Sequence, residues 1–231
     1  MKILDVGCGP GSITIGLARL VPEGDVIGLD YTSTQFPEAR VLAAEQSISN
    51  VHFQQGDIHK LPFEDGTFDF VTGHQILQHI QDPVQGLKEM RRVTKPGGFV
   101  AVREGASMTW YPPSPGMSQW QETTAKVGSA MGANLNAGNK LHVWAREAGF
   151  KNEGVKCSAG TWCFRTKDER DYIGGSMADR VLPGTKWGDI AVQKEICTKE
   201  DLEAMSRMWR EWVDDEDGWF AILHGEIVCS V

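Results

Sequence analysis

The chain reads as an α/β protein built on a doubly wound, largely parallel sheet, and three observations predict this. Apolar, strand-like runs alternate with stretches of helical spacing. The first run, Ile3 to Val6, opens into a turn carrying Gly7, Gly9 and Gly11. The second run ends at Asp30, roughly 20 residues beyond that turn. Strand, glycine turn and helix start, in that order, make a cradle: glycine takes positive φ, brings main chain against a ligand with no Cβ in the way, and leaves helix N-terminal amides facing polar groups. A carboxylate at the neighbouring strand end suits a ribose diol and repels a 2′-phosphate.

The elements follow in order. Ser12 to Leu20 places Ile13, Leu17 and Leu20 at helical spacing, and residues 21–24 end that helix. Residues 25–29 form the second strand. Pro37 has no N–H and fits only a first helical turn, so the next helix starts close to Thr34 and runs to Gln46. Residues 51–55 and 68–72 are the third and fourth strands. Asp82 caps the following helix, with Pro83 at its first position and Gln85 reaching back, and Val84, Leu87, Met90 and Val93 supply its apolar stripe. Lys95-Pro96-Gly97-Gly98 stops it before a fifth strand over 99–103.

Beyond that point the pattern loosens. Residues 105–120 read as a long loop, 119–131 and 141–148 as helices, and 154–165 as a strand, while 166–197 show no regular period. Thr198 caps a helix whose Leu202, Met205, Trp209, Trp212 and Val213 share one face, either core or partner surface. The last residues form a closing strand with Gly225 as a bulge.

Composition narrows the function. At 231 residues the chain suits one sizeable core and a single domain. A net charge of −8 argues against a nucleic-acid partner, since that affinity comes mostly from Lys and Arg on phosphates. No apolar run approaches the ~18 residues of a membrane span. Five widely spaced cysteines without metal-ligand spacing read as reduced thiols in the cytoplasm, and no metal site is expected.

ILDVGCGPG (3–11), GDIHKLPF (56–63), EMRRVTKPGG (89–98) and EAGF (147–150) together resemble class I S-adenosylmethionine (SAM) methyltransferases, in wording nearest to the ubiquinone/menaquinone-biosynthesis type, a subgroup that includes many small-molecule enzymes of secondary metabolism. The resemblance implies a Rossmann-like seven-stranded sheet, mostly parallel with an antiparallel last strand, with residues 1–105 as the cofactor half and 106–231 as the substrate side. It implies SAM as cofactor, with S-adenosylhomocysteine (SAH) as product, held by Asp5, Gly7, Gly9, Gly11, Asp30 on the ribose, Tyr31 against the adenine, Asp57 and the Ile58 amide on the adenine edge, and His74 on the methionine amine. His79 and His74 are the catalytic candidates, the plainer reading of His79 being a histidine that packs helix to sheet. Trp110, Tyr111 and His142 are substrate-side candidates, and Glu104 is a further acidic one.

The resemblance implies in-line methyl transfer to a small-molecule acceptor. Two other readings stay open at this point: a non-catalytic SAM-binding module acting through the Trp-rich helix 199–213, and an NAD-dependent oxidoreductase, although Ser12 stands where the dinucleotide fingerprint places Gly or Ala. Members of the family normally carry helices ahead of the first strand that close the pocket. With that strand starting at Ile3, closure by 106–120 and 166–197, or an open site with weak turnover and a homodimer, is expected.

Overall fold

The computed structural model describes residues 1–231 and holds a seven-stranded sheet in the order β3-β2-β1-β4-β5-β7-β6. The strands are β1 (Lys2–Val6), β2 (Asp25–Asp30), β3 (Val51–Gln55), β4 (Phe68–His74), β5 (Thr94–Tyr111), β6 (Val155–Phe164) and β7 (Trp219–Ser230). β1 pairs in parallel with β2 and β4, β2 with β3, and β4 with β5. β7 runs antiparallel between β5 and β6, exchanging bonds between Val231 and the Gly97-Gly98 turn. The strand order reverses between β1 and β4, which is where doubly wound sheets open a crevice for ligands.

The helices are α1 (Ser12–Leu20), α2 (Phe36–Glu45), α3 (Pro83–Val93), α4 (Pro115–Ala130), α5 (Leu141–Glu147), α6 (Lys167–Arg180), α7 (Lys186–Gln193) and α8 (Lys199–Asp214). None is long and apolar enough to cross a membrane. Main-chain contacts divide the chain into two compact units, one of residues 1–105, 136–159 and 225–231, the other of 106–135 and 160–224.

The first unit carries the glycine turn. Leu4, Val6, Leu29, Phe68, Val71, Leu87, Met90 and Val100 are buried in its main core. The carbonyls left open where α1 ends are collected by one side chain: Asn50 Nδ2 donates to Ala18, Val21 and Gly24 at 3.1, 2.9 and 3.3 Å. Asp82 caps α3 by accepting from the Gln85 amide at 2.8 Å, but the Gln85 side chain does not reach back; it donates to the His59 carbonyl at 3.2 Å. The EMRR segment has a physical role here. Arg92 of α3 donates to the Leu61 and Phe63 carbonyls at 3.0 and 2.8 Å, while Glu89 accepts from the Leu61 amide at 2.8 Å, so α3 staples the LPF segment in place.

The second unit departs most from the expectations. Residues 106–111 continue β5 instead of looping, because Ala106 and its alternate neighbours keep the period of two, and 166–197 hold two capped helices. Thr166 and Glu169 form a reciprocal capping box at α6, and Thr185 caps α7. The short α7 and the almost non-amphipathic α6 carried too little periodicity to be seen. The Trp-rich face of α8 is core: Trp209 stands edge-on to Trp120 with ring centroids 4.8 Å apart, and Leu202, Met205, Trp212 and Val213 are buried with it. That removes the surface through which a scaffold role would act. Gly225 is required by close approach, since a Cβ there would lie 2.1 Å from the Gly138 carbonyl oxygen.

Candidate active site

The glycine turn is set by sequence-local forces. Gly7, Gly9 and Gly11 all take positive φ (74°, 50° and 79°), and Gly11 starts α1 without any side-chain cap. The Gly7 and Cys8 amides both donate to the Leu29 carbonyl, at 2.7 and 3.1 Å, tying the turn to the end of β2. The Gly9 amide donates to Asp30 Oδ2 at 3.0 Å, and Asp30 Oδ1 accepts from the Thr32 amide at 3.0 Å. The glycines differ in surroundings: a Cβ on Gly7 would sit 2.8 Å from Ile76, and one on Gly11 2.7 Å from the Phe53 ring, whereas beside Gly9 the nearest atom is Gln35 Oε1 at 3.4 Å. Gly9 alone of the three leaves room for another molecule.

Asp5 does not face that room. It is buried at 2% exposure and accepts from the Thr14 hydroxyl at 2.6 Å, bracing β1 against the first turn of α1. Burial raises its pKa to about 6, partly offset by the Thr14 bond. In this structure the Asp5 side chain acts as an internal brace, and it is not among the residues that line the cleft described below. Burial, with the nearby carboxylates of Asp5 and Asp30, lifts the Cys8 thiol to about 12, which makes it inert.

At the end of β3 the GDIH segment folds as an Asx turn: Asp57 Oδ1 accepts from the His59 amide at 2.9 Å and lies 2.8 Å from His59 Nδ1. The His59 amide, then its ring, hold Asp57 below the usual carboxylate range. Ile58 is buried between these two. His59 was not singled out from sequence, although its place two residues after an aspartate is the Asx-turn spacing.

After β4 the chain turns at Gln75, which has φ 55°, and enters a 3₁₀ turn over Leu77–His79. Glu104 of β5, at 0% exposure, accepts from the amides of Ile76, Leu77 and Gln78 at 3.0, 2.7 and 3.3 Å.

These strand ends enclose a cleft of about 700 Å³, lined by Val6, Gly7, Leu29, Tyr31, Gly56, Asp57, Ile58, His59, Ile76, His79, Ile80, Gln81 and Asp82. The lining fits a nucleoside such as that of SAM: an apolar slot (Val6, Leu29, Ile58, Ile76, Ile80) suits a purine ring, the Asp57 carboxylate can accept from amine hydrogens, and Asp30 and the uncrowded Gly9 stand beside it in the glycine turn. Tyr31 is 73% exposed at its rim. His79 is exposed on the cleft with Nε2 3.2 Å from Gln78 Nε2, so it does not pack helix to sheet as the plainer reading held. His74 is elsewhere. It is the register partner of Arg103, with Nε2 3.5 Å from the guanidinium, and burial and then that cation lower its pKa. Of the substrate-side residues, His142 lies exposed on α5 in the first unit. Trp110 and Tyr111 belong to the second, Trp110 packed on its core and the Tyr111 carbonyl accepting from Trp212 Nε1 at 3.1 Å. No group of three or more His, Cys, Asp or Glu side chains is placed to hold a metal.

Comparison with known proteins agrees with this geometry. Residues 1–152, which span the glycine turn, both carboxylates and the Glu104 loop, match the family described as "Methyltransferase domain". The chain is similar to the uncharacterised methyltransferase C1B3.06c of Schizosaccharomyces pombe, 38% identical over 98% of this chain and 83% of that protein. It is also similar to "Probable methyltransferase ltbC" of Aspergillus luteorubrus, 30% identical over 98% and 84%. Among solved structures, the YcgJ protein of Bacillus subtilis superposes with a TM-score of 0.61 at 19% identity, covering 98% of this chain and 91% of that one, a likeness of fold. The oxidoreductase alternative falls with these matches, and the chain belongs to the methyltransferase-domain family as a class I, SAM-dependent methyltransferase.

Proposed function

We propose that the cleft beside Gly9 holds SAM and that the enzyme methylates a small-molecule acceptor. The observation that carries this is the convergence of Gly7, Tyr31 and the Asp57–Ile58 turn on one cleft at the reversal of strand order, with Asp30, next to Tyr31, bonded to the Gly9 amide of the same turn. In this reading Asp30 accepts from the ribose hydroxyls, Tyr31 covers the adenine, and the Asp57 carboxylate and Ile58 amide meet its edge. When bound, SAM supplies a methyl group already activated by its sulfonium charge. The protein's part is then mostly position and exclusion of water.

Several features support a small acceptor. The net charge of −8 disfavours a nucleic-acid substrate. TGHQ at the end of β4 lacks the Asn/Asp-Pro-Pro-aromatic element of base-amine methylation. His79 lines the cleft, which supports reading it as the group that takes a proton from an acceptor hydroxyl or amine. Mass spectrometry of a metabolite extract incubated with the enzyme and methyl-labelled SAM tests the proposal: label should enter at least one compound of low mass. SAH binding with no labelled product would instead favour a non-catalytic SAM-binding module.

A further inference from the structure

We propose that Glu104 is a positioning residue for the cofactor cleft: its buried carboxylate fixes the Ile76–Gln78 segment, and through it the wall formed by Ile76 and His79. Asp5 and Glu104 are the two buried carboxylates of the chain, and only Glu104 spends its oxygens on main chain outside its own strand. Oε1 accepts from Ile76 and Leu77, and Oε2 from Gln78. The segment it holds cannot relax elsewhere. It follows Gln75 at φ 55°, whose amide is bound to the Arg103 carbonyl at 2.8 Å, and it presents Ile76 in contact range of Gly7 and Gly73. Three N–H groups that would otherwise be orphaned at the start of a 3₁₀ turn are satisfied by one side chain.

The arrangement requires the carboxylate form. A protonated or amide group keeps one acceptor oxygen for two amides and turns a donor toward the third, and Oε2, with its single bond to Gln78 at 3.3 Å, is the oxygen that loses least by becoming the donor. Burial raises the Glu104 pKa to about 7, opposed by the three amides. The ionisable groups on and beside the strand end that carries Glu104 are Arg103, its register partner His74 and its ion-pair partner Glu226, with His79 at the end of the clamped turn. A folded pKa above the ordinary 4.5 means that overall stability from this group is full below the ordinary value and is lost as pH rises through 7. The clamp changes in the opposite direction, tightening as pH rises. Global unfolding and local order at 76–78 are thus separable.

The inference rests on the cofactor reading only for its effect on binding. Hydrogen exchange on the wild-type protein gives the first readout: protection of the Gln78 amide, corrected for intrinsic exchange, should fall on the order of tenfold between pH 8 and pH 6 while global stability does not fall. SAH titrations give the second. Wild-type affinity should weaken over the same range, and Glu104→Gln should bind on the order of tenfold more weakly at pH 8, without the component centred near 7. Gln78 protection that stays flat from pH 4.5 to pH 8.5, a span covering both the ordinary and the raised value, or a folded Glu104→Gln with wild-type affinity and pH dependence, overturns the proposal. If the wild type fails to bind SAH, the cofactor reading fails and the exchange experiment still decides the clamp. If Glu104→Gln fails to fold, the same wild-type measurement decides it.

Discussion

Gly9 and Asp30, 21 positions apart in sequence, are joined by an N–H···O bond of 3.0 Å that couples the glycine turn to the end of β2. One carboxylate therefore shapes the turn from the strand end next to Tyr31, which lines the cleft. Asp30→Ala removes this bond and, in the proposed reading, the acceptor for the ribose. Hydrogen bonds to a charged acceptor are each worth about 1.5 to 3 kcal/mol, so SAH affinity should fall at least tenfold. Circular dichroism should remain that of the folded protein. Unchanged affinity in a calorimetric titration would reduce Asp30 to a turn residue.

The glycines of the turn should separate folding from binding. Gly11→Val combines positive φ with a side chain driven into Phe53, a loss of roughly 2 to 6 kcal/mol, enough to unfold a domain of ordinary stability. Gly9→Val meets strain of about 1 to 3 kcal/mol but no close neighbour, so a folded protein that binds SAH poorly is expected. Thermal melts beside titrations distinguish the pair, and normal SAH binding by Gly9→Val would place the cofactor elsewhere.

Asp5 makes the protein sensitive to pH. Its folded pKa of about 6 exceeds the ordinary 3.8, so its contribution to stability is complete below 3.8 and is lost as pH rises through 6. Asp5→Asn keeps an acceptor for Thr14 and cannot ionise. Relative to wild type it should gain about 2 to 3 kcal/mol in stability on going from pH 4 to pH 8, measured by urea unfolding. An equal difference at both pH values would show that Asp5 carries no buried charge.

What sequence could show, and what it could not, has a physical basis. β1 to β4 and α1 to α3 were legible because short strands, glycine turns and capped helices are written in adjacent residues, and Tyr31, Asp57 and Ile58 line one cleft while Asp30 holds the glycine turn beside it. Local patterns carry no information on which face a strand-end side chain takes. Hence sequence did not show that Asp5 bonds to Thr14 or that His74 sits beside Arg103. Glu104 looked like one more acidic residue, because the amides it binds lie 26 to 28 positions away. The long β5 was obscured by Pro112, Pro113, Pro115 and Gly116, the last two of which begin α4 behind its cap Ser114.

His79 is exposed, so its replacement should not disturb the core. His79→Gln should shift stability by no more than about 0.5 kcal/mol, while turnover with the identified acceptor falls about 10²-fold if the imidazole takes the acceptor's proton. A stability loss at unchanged rate would restore the packing reading.

The central claim is that the cleft lined by Gly7, Tyr31 and the Asp57–Ile58 turn, with Asp30 beside it, is the SAM site, and a crystal structure of the wild-type protein grown with SAH tests it most directly. The account predicts adenosine in that cleft, with the ribose hydroxyls on Asp30 and the adenine edge at Asp57 and the Ile58 amide. SAH bound elsewhere, or bound in the cleft with its ribose away from Asp30, would contradict it.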